Sequence, residues 1–559
     1  MKRGRVLLVA ALCLTLAILF LLWPRAAAAG DGALIALQTS RRVQRVAWPG
    51  APGEAVLTQL APAANAWLLL SLPAPDGRGT RHFHLENADP AGQRIALDPA
   101  APGQLLITQA GVATRCTVWP DTALLQAARS QRPYAPLCGG RLHLRNAVPG
   151  NRSHLEATTE FLRDHVWRGE QLIGLVKNGL YRDAFAERAA SAGAAASAEA
   201  AVPGAPPAAR LRGDQAPAAI EAQGLGLALA TPGRALAPGH WVALAGLEGV
   251  WASAAPPGAL AAGLDAVESE ALAYLVAFDL AAFELGYVLG TEHPRLGWSA
   301  RVLPAQRNDG QPGPDGFDSA APLVRTGMLA PALLDRIVAT FTGGFKREHG
   351  AFNRGPLAVV NHGSHYGFIE QGVVFSQLQP GLATLYVQED GTVDMATWPA
   401  EGGQRYGALR HARQNGMPLV ETGRAGLPVA GSTVERWSVG NWSGSADERL
   451  RTLRAGACIV SHAGRRYLIV GYFSSATPRA MARVFLAYGC SYAMHLDMNA
   501  LEHTYLALYP RRGAERGVEH LVPGMSVLDK HIGEALLPRF LGFPDDRDFF
   551  YLTRRQAVR

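Results

Sequence analysis

The sequence predicts an α+β protein, with a mixed-sheet C-terminal domain preceded by a β-rich N-terminal module. Three observations carry that expectation. Apolar Tyr467 to Val470, a helical repeat of Met481, Val484, Phe485 and Tyr488, and the alternation of Tyr492, Met494 and Leu496 with Ala493, His495 and Asp497 read as strand, helix and strand in order. From about Ala33 to Asn146, short apolar runs such as Trp67 to Leu72 and Gln104 to Thr108 are separated by Pro, Gly and Asp clusters. A chain of 559 residues also exceeds one ordinary core, so two domains and a linker are expected.

At the N-terminus, Lys2, Arg3 and Arg5 precede an apolar run from Val6 to Trp23, and Pro24-Arg25-Ala26-Ala27-Ala28-Ala29-Gly30 follows. Residues 1–30 therefore read as a signal sequence or a membrane anchor, the run being long enough to span a bilayer. The basic flank stays inside, which places the rest of the chain in the periplasm or outside the cell, held at the inner membrane if the anchor is kept.

Hydrophobic residues make up 48% and charged residues 18%, a globular composition. The net charge of +7 is scattered, which suits an anionic or phosphate-bearing glycan. No arginine-rich or aromatic-interleaved basic patch points to nucleic acid. Cys116 with Cys138 and Cys458 with Cys490 form one candidate disulfide pair in each half of the chain, in keeping with an oxidising compartment, with free buried thiols as the alternative.

The β-rich module takes residues 31–188 and ends in a helical stretch, Thr158 to Arg188, with Phe161, Val166, Leu172, Leu175 and Leu180 as its apolar positions. Residues 189–222 are dominated by alanine, proline and glycine and read as a flexible linker. The second domain is expected over 260–515, with a strand at Tyr274 to Leu280 and a helix from Pro331 to Phe341. That helix runs into Phe341-Thr342-Gly343-Gly344-Phe345-Lys346, where two glycines permit positive φ and close approach to a ligand. A C-terminal extension, 516–559, carries Phe540, Phe543, Phe549, Phe550 and Tyr551 and is expected to pack on this domain. The final unit begins with Thr477 as a helix cap and Pro478 in the first turn, stops at Gly489, and ends its strand on Asp497.

The order of these features resembles the phosphodiester glycosidase family. It runs from the opening strand through the Gly-Gly-Phe loop, a hairpin-rich middle, Gln414-Asn415-Gly416-Met417-Pro418-Leu419-Val420-Glu421-Thr422-Gly423 and the basic Arg451 to Gly456, to the unit closing on Asp497. The resemblance covers roughly Ala271 to Pro510. It implies hydrolysis of a glycosyl phosphodiester or related envelope polysaccharide linkage, with Asp497, Gly343 and Gly344 falling on the family's motifs. The chain departs from it twice. Thr342-Gly343-Gly344-Phe345-Lys346 stands where Asn-Gly-Gly-Phe-Phe is usual, and Asp497-Met498-Asn499-Ala500-Leu501 stands where Asp-Gly-Gly-Gly-Ser is usual.

Such hydrolysis needs a carboxylate to stabilise an oxocarbenium-like centre or to activate water, and cations to hold phosphate. The expected catalytic residues are Asp497 and His495, and the expected substrate-binding residues are Thr342, Gly343, Gly344, Lys346, Arg479, Asn499 and Glu502. Glu502 and Glu370 are candidate second carboxylates, and Arg479, Lys346 and Arg454 candidate phosphate partners, Arg479 from the first turn of a helix. His349, His362, His365, His495 and His503 cluster around these loops. No HExxH pair occurs, so neither a metal nor another cofactor is expected, His362, His365 and Asp497 being the metal-binding alternative. GxSxG is absent, and Ser443 lacks the strand-turn-helix context of a nucleophile elbow. The competing expectation is a non-catalytic polysaccharide-binding or envelope-assembly protein on the same fold.

Overall fold

The computed structural model describes residues 33–556 apart from 49–52, 75–77, 102, 119–121, 154–155, 159–189, 196–201, 214–217, 222–223, 231–234, 300–301, 348–350, 353–354, 364–365, 401–407, 435–450 and 514. The N-terminal signal or anchor, the stretch Phe161 to Arg188, His349, His365 and Ser443 lie outside the described residues. Among those described, no helix is long and apolar enough to cross a membrane.

Strands dominate. The N-terminal module is a six-stranded antiparallel sheet in the order Arg42–Ala47, Glu54–Gln59, Trp67–Pro73, Thr80–Asn87, Leu142–Arg145 and Tyr134–Leu137, beside a three-stranded sheet of Gln93–Leu97, Gln104–Gln109 and Val112–Thr117. Leu68, Leu70, Leu85 and Leu105 fill the core between them. Cys116 is joined to Cys138 across 22 residues.

The elements that reach the site are β1 (Ile337–Thr342), β2 (Leu409–Gln414), β3 (Thr452–His462), β4 (Arg465–Ala476), α1 (Pro478–Ala487), β5 (Tyr492–Met498) and β6 (Phe549–Arg554). An eight-stranded sheet runs Val242–Leu244, Leu247–Ala255, Ala273–Asp279, β4, β3, β5, Pro418–Thr422 and Pro428–Ala430. β3 is antiparallel to both β4 and β5, so those two are parallel to each other, with α1 crossing between them. Thr477 caps α1 by accepting the Ala480 amide, and Gly489 turns the chain at φ +78°, where a side chain would be strained. Met481, Val484 and Phe485 bury the inner face of α1, and the Cys458–Cys490 disulfide ties β3 to the start of β5. This unit follows the sequence pattern closely.

Other expectations need correction. Pro331–Arg336 is a 3-10 turn, and the chain from Ile337 is strand β1, because Ile337, Val338, Thr340 and Thr342 are β-branched and suit a buried sheet. The eight-stranded sheet takes in Val242–Leu244 and Leu247–Ala255, which precede residue 260. The C-terminal extension is no appendage. β6 lies inside a five-stranded sheet, between Phe283–Val288 and β1, with Leu506–Leu508 and Glu519–His520 beyond. Part of the expected flexible linker is structured as well. Ala190–Ala195 pairs with Ala218–Glu221, and the Arg210 amide bonds the Ala487 carbonyl at 2.8 Å.

The N-terminal sheets meet the rest of the chain through buried polar groups. The Gln38 side-chain amide exchanges two 2.8 Å hydrogen bonds with the Val374 backbone. Arg145 binds Glu86, donates to the Val324 carbonyl from Nε and Nη2 (3.2 and 3.1 Å), and stacks 4.2 Å from the Trp67 ring. Its Nη2 lies 3.9 Å from Glu370. Glu370, a candidate second carboxylate of the site, is thus part of the domain seam. Burial pushes it up to about 8.

Candidate functional site

Asp497 lies near the end of β5, and its carboxylate is held on both sides. Oδ1 accepts the Met498 amide at 2.8 Å, and Oδ2 accepts Arg547 Nη1 at 2.6 Å. Burial raises Asp497 to about 6 against the opposing pull of Arg547.

Arg547 lies just before β6 in the run Asp545-Asp546-Arg547-Asp548, four charged residues that are all buried. Buried charges persist only with partners, and each of these has one. Asp545 binds Arg539 Nε at 2.8 Å, Asp546 binds Arg152 Nε at 3.2 Å, and Asp548 accepts Arg413 Nε and the Tyr287 hydroxyl, both at 2.8 Å. Arg547 Nη2 reaches Glu156 Oε1 at 2.6 Å, and Lys346 Nζ reaches the same oxygen at 2.6 Å. Asp497, Arg547, Glu156 and Lys346 therefore form one continuous ion-pair chain. Burial alone would raise Glu156, but Arg547, Lys346 and His503 outweigh it and hold the carboxyl well below its usual range. Burial, then Glu156 and Asp545, push Asp546 up to about 7.

The glycine loop after β1 serves this cluster. Gly343 donates its amide to the Asp548 carbonyl at 3.0 Å, and a Cβ there would fall 2.2 Å from Asp548 Oδ2. A Cβ on Gly344 would lie 2.9 Å from the Asn415 side chain. Close approach to protein groups, with neither glycine at positive φ, is what these positions require. Asn415 in turn accepts the Phe345 amide at 3.1 Å and donates to the His495 and Leu496 carbonyls at 2.6 and 2.5 Å, fastening the loop to β5.

The remaining expected residues divide sharply. Lys346 and Asp497 meet in the ion-pair chain, and Glu502 borders it. Thr342 turns its hydroxyl to the His503 carbonyl at 2.6 Å. His495 sits behind Asp497, with Nε2 3.1 Å from Arg454 Nη1 and Nδ1 3.0 Å from the Leu496 carbonyl. Arginine only donates, so Nε2 accepts and Nδ1 carries the proton. Burial and Arg454 keep this imidazole neutral. Arg479 is exposed on α1, and His362 is exposed in a turn. Asn499 adopts φ +82°, so the loop keeps a left-handed turn, in the residue type that tolerates it best after glycine.

Sequence reasoning missed Glu156, His293, Asp546 and Arg547. The available signal was the charged run Asp545–Asp548 set against the apolar run Phe549–Leu552, a pattern that obliges buried pairing. Among the described residues, two groups hold ligand atoms within 4.8 Å of one another: Glu156, His293 and Asp546, and Glu156, Glu502 and His503. Lys346 and Arg547 already neutralise the Glu156 shared by both groups, so a cation would have to compete with them.

No family model matches the chain, and no curated protein matches it. Solved structures show a distant similarity of fold. The zebrafish N-acetylglucosamine-1-phosphodiester alpha-N-acetylglucosaminidase catalytic domain, auto-inhibited by its pro-peptide, is 9% identical with a TM-score of 0.30, covering 56% of this chain and 86% of that one. A hypothetical protein from Synechocystis is 12% identical with a TM-score of 0.32, covering 91% of this chain and 98% of that one.

Proposed function

We propose that this chain is an exported hydrolase acting on a glycosyl phosphodiester or a related linkage of an anionic envelope glycan. The observation that supports the reading is the juxtaposition, in one ion-pair chain, of a strand-end carboxylate raised to about 6 with two buried cations, Lys346 and Arg547. In the proposed reaction the anomeric C–O bond breaks, the phosphomonoester leaves with the electron pair, and a water oxygen bonds to the anomeric carbon. Asp497, ionised above about pH 6, accepts the water proton, while cations hold the phosphate. A phosphomonoester is a stable leaving group and needs little help from a general acid. His495, neutral and bonded at both ring nitrogens, positions β5 behind the carboxylate. Two disulfides agree with export to an oxidising compartment.

A second reading, a polysaccharide-binding protein without turnover, is favoured by Met498-Asn499-Ala500 after Asp497, where side chains stand in place of the glycines usual in the family it resembles. The test uses the full chain with a panel of chromogenic glycosyl phosphodiesters. Turnover that falls about 100- to 10,000-fold in Asp497→Asn supports the hydrolase. Saturable glycan binding with no turnover in the wild type supports the second reading.

A further inference from the structure

Lys346 and Arg547 are only 2% and 3% exposed, and Asp497 and Glu156 each 5%, so no sugar phosphate reaches Asp497 in this arrangement. The group that closes the site comes from elsewhere in the chain. Glu156 belongs to the segment that leaves the N-terminal module after its last strand, Leu142–Arg145, and it is not part of either sheet of the second domain. The segment is laid down with specificity. The Asn151 amide bonds the Pro544 carbonyl at 2.8 Å, and the Asn151 carbonyl accepts the Asp546 amide at 3.1 Å. Gly150 is pressed so closely to this strand that a Cβ would lie 2.6 Å from the Asp546 nitrogen. Charge is matched along it. Arg152 binds Asp546, and Glu156 places one oxygen 2.6 Å from both Lys346 Nζ and Arg547 Nη2.

A single carboxylate oxygen shared by a buried ammonium and a buried guanidinium is the arrangement that a bound phosphate oxygen would make. We infer that Lys346 and Arg547 form the oxyanion subsite of the pocket, and that Glu156 occupies it as a built-in competitor which must withdraw before a phosphate-bearing ligand binds. This deepens the hydrolase reading and rests on it for the identity of the ligand. The same cations do two jobs in turn: they neutralise the chain's own carboxylate in the closed state and the ligand's phosphate in the open one. Glu156→Gln weakens the closed state by removing the competing charge while keeping the side chain's volume. Lys346→Met removes half of the subsite.

The test measures inorganic phosphate binding to the full chain by calorimetry, and amide hydrogen exchange of the peptides carrying Glu156. Glu156→Gln is expected to bind phosphate at least tenfold more tightly than wild type, with the gain lost in Glu156→Gln/Lys346→Met. In the wild type, millimolar phosphate is expected to speed exchange around Glu156 while leaving β5 unchanged. A folded Glu156→Gln that binds phosphate no better overturns the proposal, as does phosphate binding that leaves the Glu156 peptides equally protected. Should Glu156→Gln not fold, the exchange measurement on the wild type decides alone. Turnover separates this inference from the hydrolase reading. Tighter phosphate binding in Glu156→Gln without hydrolysis by any variant keeps the subsite and removes the hydrolase. Hydrolysis by the wild type with a kcat/KM that Glu156→Gln leaves unchanged or lowers removes the competitor and keeps the hydrolase.

Discussion

Two buried arginines in this protein are each set between two carboxylates, and they differ in how completely their surroundings satisfy them. Arg145, at the domain seam, lies between Glu86 and Glu370. All three of its nitrogens have acceptors, it stacks on Trp67, and Glu370 takes the Leu289 amide at 2.8 Å. Arg547 lies between Asp497 and Glu156, and among the described residues its Nε, Asp546 Oδ1 and His503 Nε2 lack hydrogen-bond partners. The seam has one such atom as well, the buried His84 Nε2, but Arg145 itself is fully satisfied and Arg547 is not. Arg145 is therefore the more firmly fixed of the two.

The largest test of this contrast is stability. Glu370, at about 8, is already protonated at pH 7, so Arg145→Met leaves Glu86 as the buried charge without its partner and is expected to cost about 3–5 kcal/mol in urea unfolding at pH 7. Arg547→Met is expected to cost about 1–2 kcal/mol, because Glu156 keeps Lys346 and Asp497, already raised to about 6, takes up a proton. Equal losses would break the contrast.

A smaller effect concerns pH. Glu370 stands at about 8 in the folded protein against an ordinary 4.5, so the native state binds its proton more tightly than the unfolded chain does. That contribution is complete below about pH 4.5 and is lost as pH rises through 8. Wild type should lose about 2 kcal/mol from this group between pH 6 and 8, and Glu370→Gln should remove that component with no loss of turnover. Asp497, at about 6, should give the same sign over a lower window, from about pH 4 to 6, which Asp497→Asn abolishes. Identical pH profiles for wild type and Glu370→Gln would remove the seam's part in this account.

Comparable in size is Gly343→Ala, where a methyl group 2.2 Å from Asp548 Oδ2 is expected to cost about 1–3 kcal/mol and to loosen the approach to β6. The smallest is Arg479→Ala. This exposed residue should change stability by no more than about 0.5 kcal/mol and leave phosphate binding unaltered. A marked loss of phosphate affinity in Arg479→Ala would move the anion subsite from the buried pair to the first turn of α1.

Legibility followed the range of the interactions. The Thr477 cap, the apolar face of α1 and the alternation of β5 are local, and they located Asp497 without any tertiary information. The stretch Pro331 to Phe341 misled because Leu333, Leu334, Ile337 and Val338 have helical spacing, while the β-branched content that made Ile337–Thr342 a strand counted only once sheet partners existed. Glu156 and Arg547 were invisible for a further reason. They lie 391 residues apart in sequence, and nothing near either one announces the other. The two loop glycines read as sites of positive φ and ligand approach, whereas their close contacts are to Asp548 and Asn415, which the local pattern could not reveal.

The position of β6 has a consequence for how this protein is made. A growing chain that has passed Pro510 already contains Glu156, Lys346 and Asp497, yet lacks the strand that separates Phe283–Val288 from β1 and the arginine that joins Asp497 to Glu156. Its two waiting strands expose unpaired edges, and its carboxylates have no guanidinium between them. The domain therefore matures late, after synthesis has delivered residues 547–554. Any premature stop before them yields a product without an assembled site and with open edges, suited to clearance by quality-control proteases.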